Sequence, residues 1–186
     1  MFARRTATTG GGPVVIVTPE YRRTHLVGAT FSNAFGNLTV RGEVAAFLGR
    51  TLSVSNPADS DGLVQSDDLT YVIGLDWTGL EETLVSFQMF QSRVSDHERG
   101  LMRDQTETNV TLFIRHEMLN DTLAIETMWL HGVNRGDGLV RPKVTYHLDD
   151  HTTVWIGADI FYGGSGGVFG QFDANDRILL GIQWGF

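Results

Sequence analysis

Cysteine is absent from this 186-residue chain. That excludes a disulfide framework and every cysteine-ligated metal site. Positive charge is in short supply, with 14 Lys and Arg against 22 Asp and Glu and a formal net charge of -8. A general nucleic-acid binder carries a basic surface, so no nucleic-acid partner is expected. Proline is scarce too, at four residues against 22 glycines. Long apolar runs are missing. Residues 14–17 and 178–180 are among the longer ones, far below the ~20 residues that a membrane-spanning helix needs. A helical membrane protein is thereby excluded, whereas a β-barrel is not, because its strands alternate.

What the chain does have is alternation. Over the last ten residues, Ile178, Leu180, Ile182, Trp184 and Phe186 share one parity, and Arg177, Leu179, Gly181, Gln183 and Gly185 share the other. Period two marks a strand with one apolar face. This stretch resembles the closing strand of bacterial outer-membrane β-barrels, in which a final Phe and alternating apolar residues form the insertion signal read by the barrel-assembly machinery. On that resemblance Ile178, Leu180, Ile182, Trp184 and Phe186 are the signal.

The same pattern predicts about nine strands, over 24–32, 38–48, 68–77, 82–94, 106–117, 122–133, 139–148, 151–162 and 175–186. Residues 1–20 read as an irregular lead-in, with 14–17 as a possible short strand, and 21–186 as a β-barrel segment. The strand lengths lie near the ~9–11 residues that a tilted strand needs to cross a bilayer. Connections alternate. Short turns fall at 33–37, 78–81, 118–121 and 149–150, and longer loops at 49–67, 95–105, 134–138 and 163–174. Short periplasmic turns and longer external loops are the habit of such barrels. Trp77, Tyr146, Trp184 and Phe186 fall at one end of the apolar face, and Trp129 and Tyr162 at the other, as two interfacial girdles would.

Charged residues fall mid-strand on the opposite face: Arg41, Glu43, Asp76, Arg115, Glu117, Glu126, Arg141, Lys143, Asp159 and Arg177. In a barrel these face the lumen. Arg41 with Glu43, and Arg115 with Glu117, are same-face neighbours along a strand. Arg141 and Lys143 are placed to pair with Asp159 and Arg177 across adjacent strands. The mixed-sign pairs read as internal salt bridges, and Arg141 and Lys143 as a charged wall that sets solute selectivity.

The segments 40–47, 71–77, 141–146, 157–163 and 169–172 through 186 resemble the C-terminal part of a family of large proteobacterial outer-membrane proteins, porin-like or exporter-like, that is mostly described as a domain of unknown function. The resemblance implies an antiparallel up-and-down transmembrane β-barrel in the outer membrane of a Gram-negative bacterium. It also implies contact with outer-membrane lipids and passage or export of small or lipophilic molecules. Members are several times longer than this chain. That fits the polar, Gly-rich 6–13 where an export signal needs an apolar core, and the odd strand count, since bacterial single-chain barrels have even numbers. A start upstream of Met1 is therefore expected.

Alternation alone fits a soluble β-barrel or sandwich with an apolar ligand inside equally well. In that reading Ile178, Leu180, Ile182 and Trp184 point into a dry core. No catalytic motif, cofactor signature or metal-ligand spacing is present, so neither an enzyme nor a cofactor is expected. The tripeptide Arg135-Gly136-Asp137 reads as a chance match, and the Gly-rich 163–167 as a flexible external loop.

Overall fold

The structure is a computed structural model describing residues 2–9, 12–19, 21–55 and 61–185, with side chains from Pro19 onward. Phe186, the last residue of the expected insertion signal, and 56–60 of the expected loop lie outside the described residues.

Among the described residues there are eleven strands: β1 (Phe2–Thr9), β2 (Gly12–Pro19), β3 (His25–Phe35), β4 (Leu38–Ser53), β5 (Leu63–Trp77), β6 (Thr83–Val94), β7 (Thr106–Met118), β8 (Leu123–Gly132), β9 (Asp137–His147), β10 (Thr152–Tyr162) and β11 (Arg177–Trp184). The last nine form one antiparallel meander in the order β11-β10-β9-β8-β7-β6-β5-β4-β3. The all-β, nine-strand expectation holds at that level. Closure is not part of the topology, because β3 and β11 are the two end strands. Residues 1–20, expected to be irregular, hold the β1–β2 hairpin, with Phe2 opposite Pro19 and Thr9 opposite Gly12. The run 14–17 is β-branched throughout, which favours a strand. Being apolar at every position, it offers no alternation to read.

Two other boundaries move. β4 and β5 run past their expected ends, and the connection between them shrinks from 49–67 to 54–62. Leu52, Val54 and Leu63 are buried there, as is Ser66, so polar composition concealed a packed segment. The connection 133–136 is no longer than those at 119–122 and 148–151. The alternation of short and long loops therefore fails at that one place.

Contacts divide the chain into two compact units. The first comprises Met1–Ala29, Val44–Tyr71 and Gln91–Glu107. Its buried apolar side chains among the described residues are Leu52, Val54, Leu63 and Val94. Val54 bridges to Leu101, so 95–105 is tied to the sheet by backbone pairing. The second comprises Thr30–Glu43, Val72–Phe90 and Thr108–Phe186. Only Ala124 and Leu139 are buried apolar residues there, among those described.

In the second unit, turns and loops are held by carboxylates. Asp149 accepts from the His151 and Thr152 N–H groups, both at 2.8 Å. The His151 N–H is the main influence that holds this carboxyl below its ordinary range. The loop 163–176, which contains the 3-10 turn Gly170–Phe172, is anchored by Asp137. This buried carboxylate accepts from the Phe169 N–H at 2.7 Å and the Gly170 N–H at 3.3 Å. Arg135 Nη1 donates to the Gly166 carbonyl. The glycines of 163–167 make room for that anchor. At Gly163, φ is +114° and a Cβ would sit 2.5 Å from the Asp137 Cα, and at Gly167 a Cβ would sit 2.3 Å from an Asp137 carboxylate oxygen. Arg135 and Asp137 thus serve the fold, and the expected flexible loop is a pinned one.

Asp137→Ala removes two backbone hydrogen bonds to a buried charge, a loss of about 2 kcal/mol. Limited chymotrypsin digestion of folded protein is expected to cut at Phe169 and Phe172 at least tenfold faster in this variant, with Asp137→Asn intermediate.

Candidate functional site

The two faces of β7–β11 follow from register. Leu123 opposes Tyr146, Tyr146 opposes Val154, and Val154 opposes Ile182. One pleat further on, Ile125, Val144, Ile156 and Leu180 form the next row. Trp129 opposes Leu112 and Val140, and Val140 opposes Ile160. Each row is apolar, and all of them share one side of the pleat.

These apolar side chains are not buried within the chain. Ile156 on β10 is 50% exposed, although it has paired strands on both sides, and the four described residues of the expected insertion signal are 69–76% exposed. They do not point into a core of this chain. At the end of the apolar face away from Trp184, the Trp129 Nε1–H donates to the Tyr162 hydroxyl at 2.8 Å. His131 Nδ1 lies 2.9 Å from the same oxygen, stacked between the two rings. His131 was not singled out from sequence, although its parity with Trp129 was legible.

The opposite face gathers the charges. On the meander's β4–β6 side, Arg41 forks onto Asp76, Nε to Oδ2 at 2.8 Å and Nη2 to Oδ1 at 2.9 Å, and Ser86 Oγ donates to the same carboxylate at 2.6 Å. Glu43, expected beside Arg41, makes no ion pair among the described residues. On β7–β9, Arg115 donates to Glu117 Oε1 through Nε and Nη2, at 3.0 and 2.6 Å, and its Nη1 lies 3.7 Å from Glu126. Lys143 Nζ donates to Glu126 at 3.2 Å. On β9–β11, Asp159 accepts from Arg141 Nε and Arg177 Nε, both at 2.7 Å.

Nine of the ten expected residues thus join ion pairs on one face. The pairing expected for Lys143 is corrected, because its register partner on β10 is Gly157 and on β8 is Glu126. Arg141 and Lys143 do not stand as a bare cationic wall, since each shares a carboxylate. Asp159 is the most buried member, at 1% exposure, with a guanidinium on either side. Loop 163–176 returns to this face where Phe172 packs on Phe161, ring centroids 5.7 Å apart.

Comparison with protein-family models and with curated proteins returns no match.

A second polar cluster, in the first unit, escaped the sequence. The buried Asp68 accepts from Arg50, from Arg103 Nη1 at 3.1 Å and from Ser92 Oγ at 2.6 Å. Arg103 also reaches Glu107 at 3.2 Å. Asp68 shares the parity of Asp76, which was readable. Arg50 was not, because Gly49 breaks the count. Its φ of +67° and the 2.8 Å bond from its N–H to Asp67 Oδ1 have the character of a β-bulge. Arg50 therefore lies over the Phe47 ring, 5.0 Å from its centroid, where strict alternation would put the two on opposite faces. No group of three or more His, Asp or Glu side chains is arranged to hold a metal among the described residues.

Asp159→Ala strands Arg141 and Arg177 without their shared carboxylate. Breaking a fully buried pair costs ~3–5 kcal/mol, and the two half-exposed guanidinium groups lower the expected loss to ~2–3 kcal/mol. Denaturant unfolding in detergent measures it, with Arg177→Gln expected to cost less, because Arg141 then still holds the carboxylate.

Proposed function

We propose that the chain forms part of the wall of an antiparallel up-and-down transmembrane β-barrel in the outer membrane of a Gram-negative bacterium. Its apolar face lies against lipid, and its charged face lines a passage for small or lipophilic molecules. The observation that carries this reading is the inversion of burial on β10. Asp159 is 1% exposed and Ile156, on the other face, is 50% exposed. A water-soluble fold arranges these the other way, while a barrel in lipid alternates apolar residues outward and polar residues inward.

Three further features support it. The strands β3–β10 run 10 to 16 residues, enough for the ~9–11 that cross a bilayer, with β4 and β5 extending beyond it, and β11 runs 8. The Trp129–His131–Tyr162 cluster and the pair Trp184 and Tyr146 mark two ends of the apolar face, where amphipathic rings meet headgroups. The ion pairs remove most net charge from the other face while keeping it wettable. In lipid the open edges of β3 and β11 must pair, with each other or with further strands, because an unpaired backbone there is costly. The barrel-assembly machinery and outer-membrane lipids are the partners implied, and a small solute is the cargo.

Protein recovered from the outer-membrane fraction with heat-modifiable gel migration is the expected result, and recovery as a water-soluble monomer would overturn the reading. Leu180→Arg is expected to cost ~2–4 kcal/mol in bilayers, as Arg does near the midplane of a lipid-facing surface. Gln183→Arg, on the other parity, is expected to change stability by less than ~0.5 kcal/mol, as surface substitutions do.

A further inference from the structure

We propose that the charged face carries a binding site for a small organic anion with an apolar body, such as an aromatic carboxylate. The inference deepens the reading above, since it rests on this face lining a water-filled passage.

The site is a cleft of about 450 Å³ over β7–β11, within the ~300–1,000 Å³ usual for small-ligand sites. Its apolar surface comes from Phe113, Met128, Trp155 and Leu179, and Arg141 and Lys143 line it beside these. Trp155 is pre-positioned. Its ring lies against Gly181 of β11, where a Cβ would come within 2.2 Å of a ring carbon. Only a glycine lets the indole rest on the backbone in this way, and an indole so supported gives a fixed surface for a planar or aliphatic body. Lys143 Nζ sits 5.8 Å from the centroid of that ring.

The donor count selects the sign of the ligand. Arg141 uses Nε on Asp159, and its two terminal nitrogens make no hydrogen bond among the described residues. Lys143 makes one bond, to Glu126, out of three that an ammonium can donate. Charge points the same way. Asp159 is shared by two guanidinium groups, Arg141 and Arg177, so that group carries a net +1. Glu117 and Glu126 are balanced by Arg115 and Lys143. A carboxylate can take the free Arg141 nitrogens as a fork, with its apolar body against Trp155. A cation of the same shape meets the excess positive charge, and a neutral apolar molecule leaves the Arg141 and Lys143 donors unused.

The test uses the full chain folded in detergent micelles, titrated by equilibrium dialysis with 2-naphthoate and with 2-naphthamide as its neutral match. Saturable binding of naphthoate at least tenfold tighter than of the amide is expected. Arg141→Gln and Lys143→Gln should each weaken naphthoate about tenfold and leave the amide unchanged, while Trp155→Ala weakens both. Circular dichroism checks that each variant folds. Should Arg141→Gln fail that check, Arg141→Lys keeps a cation for Asp159 but removes the fork, and is expected to show the same loss. Equal affinity for the two probes, or affinities indifferent to the Arg141 and Lys143 changes, would overturn the site. A chain recovered from the outer membrane that shows no charge preference overturns this site and leaves the barrel reading standing. A water-soluble chain that prefers naphthoate supports the site and overturns the barrel.

Discussion

The backbone pairing of β7–β11 is the constraint on which both faces depend. Consecutive strands are held in register by cross-strand hydrogen bonds, from Met118 opposite Leu123 to Thr152 opposite Trp184. Because side chains alternate with period two, a slip of one residue on any strand would move its apolar set to the charged side. Ile156 would then meet the row of Lys143 and Glu126, and Asp159 would enter the apolar row. Each such misplacement carries the cost of an unpaired charge in apolar surroundings. The register is therefore set by side-chain chemistry on both faces at once.

The charged face explains how so many ionisable groups coexist on one surface. Arg41, Arg115, Lys143, Arg141 and Arg177 each reach a carboxylate on the same or a neighbouring strand. Cross-strand pairs of opposite sign contribute only tenths of a kcal/mol to about 1 kcal/mol each. Their larger effect is to forbid alternatives, since Asp159 is acceptably placed only where Arg141 and Arg177 flank it. Most of these groups are internal ties. Around Asp159, two cations share one carboxylate.

Much of this was legible because the alternation from β7 to β11 is unbroken. The parity of Arg141, Lys143, Asp159 and Arg177 in the sequence is enough to place them on one face. Pairing was less legible. Lys143 goes to Glu126 because of a register that depends on the full length of the 133–136 connection, and Arg41 goes across to Asp76 rather than along the strand to Glu43. Three features were hidden, each for a physical reason. The β1–β2 hairpin contains a run apolar at every position. Arg50 is displaced from the count by the bulge at Gly49. Asp137 sits in a stretch that reads as a loop and Asp68 at the first position of an expected strand beside one, yet both are buried by the partners they hold. A polar residue in a polar segment carries no mark of burial, so these anchors could be found only from their neighbours in space.

The central claim is that the apolar face of the sheet meets lipid and the charged face meets water. The absence of cysteine makes one measurement direct. Single cysteines placed in turn from Ile178 to Gln183 and spin-labelled report whether each position is reached by oxygen, which concentrates in lipid, or by a water-soluble nickel chelate. In liposomes, the account predicts alternation with period two, with 178, 180 and 182 favouring oxygen and 179, 181 and 183 favouring the chelate. Uniform access of the chelate to all six positions, or low access of both reagents at 178, 180 and 182, would contradict it.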